Sequence, residues 1–175
     1  MASPADTGAA PAARPRYVVS GCLAGLSCRY DGGSNPCAEV MRLVAEGLAV
    51  PVCPESLSGL PVPRPPCEQA RPAEENGDVR VISRTGADVT GAFTRGADLA
   101  LAAALATGCR EAILKARSPS CGVGQVYDGS FSHSLRPGDG LWAQRLRAAG
   151  FTLWTEDDLP PNLTPADATP RGEPR

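Results

Sequence analysis

Three short apolar runs in this chain each empty into a loop that carries a cysteine. They read YVVSGCLAG around Cys22, AVPVCPES around Cys53 and AILKARSPSCG around Cys121. Apolar runs of this length, bounded by Gly, Pro or Ser, are the pattern of strands buried on both faces of a parallel sheet. In such α/β folds, ligands and active sites gather beyond the carboxyl ends of the strands. Three thiols delivered to that edge from distant parts of the chain make a candidate metal or cluster site. The count matters, because a closed structural site normally has four ligands and three leave one position open for chemistry.

The rest of the chain alternates in the same way. Tyr17–Ser20 reads as a buried strand, followed by the glycine-bearing GCLAGLSCRYDGG loop. Asn35–Gly47 reads as a helix with Pro36 in its first turn and Gly47 past its end. Ala49–Cys53 is a second strand, and LPVPRPPCEQ follows it as an irregular loop. Val79–Ser83 is a short strand between turn sequences, and Asp88–Thr107 an Ala/Leu-rich helix with Thr90 as expected N-cap and Gly108 at its end. Glu111–Ala116 is a third buried strand that opens the RSPSCGVG loop. YDGSF reads as a turn, LWAQRLRAAG as a helix ended by Gly150, and FTLWTE as a last strand. This alternation predicts a parallel sheet with helices on both faces. Residues 1–15 and 160–175 are rich in Pro and Ala without periodicity and are expected to be disordered tails around one domain, 16–159.

Composition removes several function classes. With 17 Lys+Arg against 19 Asp+Glu the chain has no electrostatic footprint for nucleic acid or an anionic membrane. No apolar run approaches the roughly 20 residues of a membrane span. The N-terminus, MASPADTGAAPAARPR, lacks the order of a signal peptide, so the expected compartment is the cytoplasm. Seven cysteines, an odd number, argue against a disulfide framework there.

Soft thiolate ligands select zinc, copper(I) or iron–sulfur clusters. Cys22, Cys53 and Cys121 are each flanked by Gly or Pro, which let backbone turn sharply or approach a ligand closely. Cys37 and Cys109 fall on helical or helix-end positions and read as small buried hydrophobes. Cys28 and Cys67 lie in loops near the site without ending a strand.

Polar groups travel with the thiols. Glu55, two residues after Cys53 in an apolar loop, is a candidate acid/base. Ser118 and Ser120 precede Cys121, and either hydroxyl can bond a substrate or satisfy the turn. Arg29, Tyr30 and Asp31 form a polar-aromatic cluster suited to a flat heterocycle, or a plain surface turn. Lys115, the only lysine, stands inside ILKARSPSC, where its stem can pack beside a strand or its amine can serve the site. The only histidine, His133, lies far from every cysteine in sequence, which gives a Ser-His-Asp or Cys-His scheme little support.

SGCLAGLSCRYDGGSN, VPVCPESLSGLPVPRPPCE, GADVTGAF and AILKARSPSCGVGQVYDGSF together resemble the DUF523 family, which includes thiouracil desulfurase. The resemblance runs from about Val18 to Glu156, with several motifs in order. It implies a compact three-layer α/β/α domain with a mostly parallel, Rossmann-like sheet, carrying a [4Fe-4S] cluster on three cysteines with one iron free for the substrate's sulfur. Carried onto this sequence, the ligands fall on Cys22, Cys53 and Cys121, the acid/base carboxylate on Glu55 and the assisting serine on Ser118. Cys28 stands where an apolar residue is expected ahead of RYDGG, and Cys67 is an extra thiol in the proline-rich loop. A fourth thiolate reaching the open iron would cap it.

The implied activity is hydrolysis of thiouracil, or a related small thiolated nucleobase, to uracil and sulfide. The resemblance also implies iron–sulfur assembly machinery as a partner. Two other readings remain at this stage, an iron–sulfur or sulfide carrier and a zinc-bound structural module. An ATP-dependent thiolation enzyme acting on tRNA would need a phosphate-binding loop, and SGCLAG is not one.

Overall fold

A computed structural model describes residues 14–70, 78–161 and 163. The two expected tails fall largely outside the described residues. The centre is a four-stranded parallel sheet in the order β2-β1-β5-β8, with β1 at Tyr17–Ser20, β2 at Ala49–Val52, β5 at Glu111–Leu114 and β8 at Thr152–Thr155. Side chains of the central strands alternate between two cores, as the two-residue period of a strand requires. Val18, Ala112 and Leu114 pack with α3 (Thr90–Ala106) and α4 (Leu141–Ala148) on one face. Tyr17, Val19 and Ile113 pack with Val40 and Leu43 of α1 (Ala38–Ala45) on the other. Helices on both faces of a parallel sheet are the architecture read from the sequence.

Local differences have local causes. The first helix starts at Ala38 rather than Asn35, because Cys37 is extended (φ −111°) and its N–H donates to the Leu23 carbonyl. Thr90 is not the N-cap of α3. It is the first helical residue, and the Asp88 carboxylate accepts its N–H at 2.9 Å while its own hydroxyl accepts the Val81 N–H.

The loop expected to be irregular after β2 contains structure. Cys53 caps a four-residue helix, α2 (Pro54–Leu57), with Pro54 at the first helical position, where its missing N–H costs nothing. Cys67–Ala70 forms β3, antiparallel to β4 (Arg80–Ser83), so Cys67 begins a strand. The turn expected at YDGSF is the connection of a second hairpin, β6 (Gln125–Tyr127) with β7 (Leu135–Pro137). No helix among the described residues is long and apolar enough to cross a membrane.

Packing of α2 on α3 sets where Cys53 and Glu55 stand. Gly96 of α3 is the contact point: a Cβ there would lie 2.2 Å from the Pro54 carbonyl oxygen and 2.9 Å from Ser58 Cβ. Gly96→Ala must therefore push α2 away. The expected result is a destabilisation of about 1–3 kcal/mol, the range for an overpacked core, measured by urea unfolding. An unchanged midpoint would show that α2 is free to move.

Candidate active site

Because β1, β2 and β5 are parallel neighbours, their carboxyl ends lie on one side, and the cysteine loops leave from there. Ser20 and Val52 are register partners in β1 and β2, so Cys22 and Cys53 follow two paired strand ends by one or two residues. Cys22 lies in a 3-10 turn at Gly21–Ala24 that closes on Gly25 (φ +88°), a conformation suited to glycine. Cys121 follows β5 after a turn in which the Gly122 N–H donates to the Ser118 carbonyl. All three line one cavity of about 380 Å³.

The thiols influence one another. The Cys28 thiol hydrogen-bonds both Cys22 and Cys53, which lowers Cys22 and holds Cys53 at about 6, while Cys28 itself is driven far up. Gly21 packs beside the two: a Cβ there would lie in ordinary contact with Cys28 Sγ at 3.4 Å and Cys53 Cβ at 3.5 Å, and closer to Leu26 Cδ1 at 3.2 Å. Cys121 is raised, first by burial, with the Ser20 hydroxyl opposing the shift. Cys67 lines the same cavity and is pushed up to about 11 by burial and then by Glu55. Cys37 and Cys109 stay out of this cavity: Cys37 Sγ donates to Glu39 at 3.5 Å and Cys109 is buried in the core.

Glu55 lines the cavity from the first turn of α2. One of its oxygens, Oε2, accepts from Arg64 Nε at 3.0 Å and more closely from Nη2; the other, Oε1, accepts the Ser120 hydroxyl at 3.2 Å. Ser120 is buried and turned toward Glu55, whereas Ser118 faces the cavity and its Oγ accepts the N–H groups of Ser120 and Cys121, both at 3.1 Å. Among the described residues, no acceptor takes the Ser118 hydroxyl hydrogen.

Arg29 and Tyr30 line the cavity, with the Arg29 guanidinium 5.5 Å from the Tyr30 ring centre. Asp31 does not line it. It is exposed, and its carboxylate is occupied by Arg29 and by the Gly33 N–H at 3.0 Å. Lys115 is at the cavity, and its amine pairs with Glu156. The structure also brings in groups that sequence reasoning sets aside or passes over, namely Arg64, and Arg84 and His133 on the far wall.

Among the described residues, no three His, Cys, Asp or Glu side chains are disposed to hold a single metal ion. Cys22, Cys53 and Cys121 instead share the lining of one cavity. A soft, all-sulfur donor set around such a volume fits a cuboidal iron–sulfur cluster in ligand chemistry and in number.

The sequence pattern of 2-thiouracil desulfurase matches residues 17–158, almost the whole described chain. The chain belongs to the 2-thiouracil desulfurase family. Among its relatives, the uncharacterized protein YbbK of Bacillus subtilis (strain 168) is 39% identical over 145 residues, covering 81% of this chain and 96% of the relative. A solved structure of the [4Fe-4S]-dependent thiouracil desulfidase TudS is 44% identical, with a TM-score of 0.73 over 83% of this chain and 93% of that one. The residues matched to the family, 17–158, take in the whole parallel sheet and all three cysteine loops.

Proposed function

We propose that the protein is a [4Fe-4S]-dependent desulfurase that hydrolyses thiouracil, or a closely related thiolated nucleobase, to uracil and sulfide. The observation that carries this reading is the meeting of three cysteine loops from parallel strand ends with a cavity-facing carboxylate, in a chain 44% identical to TudS. Cys22, Cys53 and Cys121 would hold the cluster. When bound, it supplies a thiophilic iron for the substrate's sulfur.

The protein's own side chains do the remaining work. Tyr30 offers an aromatic face and Arg29 a donor to a flat ring entering the cavity. Ser118, with its oxygen engaged by two N–H groups, can direct its hydrogen to a substrate or developing oxyanion. Glu55 is placed to take a proton from the attacking water and to return it to the leaving sulfur or ring nitrogen. Ser120 and Lys115 act from behind, Ser120 on Glu55 and Lys115 through its pair with Glu156. Cluster loading would come from iron–sulfur assembly machinery. None of the seven cysteines is paired in a disulfide, which suits a reducing compartment such as the cytoplasm.

The test is anaerobic purification, analysis for iron and acid-labile sulfide, and single-turnover release of uracil from thiouracil. Iron and sulfide without uracil would indicate a cluster or sulfide carrier, and zinc without sulfide a structural module. In the same preparation, Cys28→Ser, Cys37→Ser, Cys67→Ser and Cys109→Ala are each expected to keep the cluster's visible absorbance. Its loss in the Cys28 or Cys67 variant would add a fourth thiolate to the ligand set.

A further inference from the structure

Arg64 sits in the proline-rich loop with a side chain only 4% exposed, and its guanidinium reaches two other segments as well as back to its own loop. Nε and Nη2 donate to Glu55 Oε2, Nη2 also to the Cys28 carbonyl at 3.1 Å, and Nη1 to the Pro61 carbonyl at 3.3 Å. One planar group thus ties the loop after Cys22 to the helix after Cys53. It also engages only one of the two carboxylate oxygens. On the opposite side the Ser120 hydroxyl, on the loop that carries Cys121, donates to the other.

We infer that Arg64 is the positioning residue of the site, clamping Glu55 by Oε2 so that its Oε1 edge stays in the cavity, with Ser120 as the second jaw. The inference rests on the proposed role of Glu55 and adds what holds that carboxylate. An ion pair alone would not require arginine. A lysine offers a single point charge, whereas three acceptors in fixed directions need the guanidinium fork. The side chain of Glu55 has two free torsions beyond Cβ, and a carboxylate displaced by about 1 Å loses on the order of 10²-fold in rate. Arg64 lines the cavity, but its guanidinium donors are committed to Glu55 and to the Cys28 and Pro61 carbonyls, so its effect on the reaction passes through Glu55.

The test is a double-mutant cycle of Arg64→Met and Glu55→Gln in the cluster-loaded protein. Arg64→Met alone is expected to lower kcat by about 10²-fold, with KM within about twofold and cluster absorbance unchanged. Added to Glu55→Gln, it is expected to cost no more than about twofold further. Arg64→Lys should recover little, and free guanidinium should partly rescue Arg64→Ala only where Glu55 is present. Thermal unfolding of the four proteins of the cycle gives a readout independent of turnover, and the two single-variant midpoint shifts should sum to more than the shift of the double variant.

Equal losses from Arg64→Met with Glu55 intact and in the Glu55→Gln background, a raised KM with unchanged kcat, or additive thermal shifts would each overturn the clamp. Absence of uracil from the parent protein would instead overturn the desulfurase reading, and the thermal cycle would then decide by itself whether Arg64 holds Glu55.

Discussion

Replacing any one of Cys22, Cys53 and Cys121 by serine is expected to remove the cluster and reduce uracil release to background. A cluster held by three thiolates loses a third of its protein ligation with each substitution, and a neutral hydroxyl is a poor ligand for iron. The fold should survive, because serine is close to cysteine in volume and both Cys22 and Cys53 are only partly buried. Cys121 is the demanding position. It is 5% exposed and belongs to the core around Trp142 and Leu114, so a hydroxyl there meets apolar neighbours. The Ser20 hydroxyl, which bonds the Cys121 thiol, gives a serine there one polar partner and keeps the cost below that of an unsatisfied hydroxyl, about 1–3 kcal/mol; Cys121→Ala separates what remains from ligation. Far-ultraviolet circular dichroism checks the fold while iron and sulfide analysis checks the cluster. Full iron content in any of the three variants would remove that cysteine from the ligand set.

Glu55→Gln is expected to lower turnover by about 10²–10⁴-fold while the cluster stays at parent content. Glutamine keeps the length and can still accept from Ser120, but it cannot trade a proton. Its amide also meets the Arg64 donors less well than a carboxylate does, since the charge-assisted pair with Nε and Nη2 is lost. Arg64 is thereby left as a largely buried cation without its partner, and some loss of stability accompanies the loss of rate. The measurement is single-turnover uracil release, under anaerobic conditions, normalised to iron. Unchanged turnover at full cluster occupancy would exclude an acid/base role for Glu55. A carrier protein would hold and pass on sulfide almost equally well with Gln at this position.

What the sequence determines by itself is whatever has a local cause. β1, β2 and β5 are apolar runs bounded by Gly, Pro or a charged turn, and such a run shows itself without reference to its neighbours, while β8, the more exposed edge strand, shows itself by its β-branched and aromatic residues. From those strands and their parallel order follows the common edge, and with it the gathering of the loops that carry Cys22, Cys53, Glu55 and Cys121. Gly47 and Gly150 each adopt the positive φ that ends the preceding helix, +73° and +83°, at the positions where the sequence pattern places helix stops.

Tertiary structure decided the remainder, because its causes lie far away in sequence. Cys67–Ala70 has no alternating pattern and becomes a strand only because β4 supplies its hydrogen bonds. The stretch around His133 lacks apolar periodicity, yet β6 pairs with β7 and brings that residue to a cavity wall shared with Cys22 and Cys53, from the far end of the chain. Asp31 reads in the sequence either as a ligand-facing partner of Tyr30 or as part of a surface turn, and its donors, Arg29 and the Gly33 N–H, hold it at the surface. Arg64 is one of sixteen arginines in the chain and lies in a loop whose composition suggests exposure. Only the packing of that loop over α2 buries its guanidinium against Glu55. Residue identity and strand ends determine which chemistry is brought to the edge of the sheet; long-range hydrogen bonds, which no local window contains, determine how its acid/base is held.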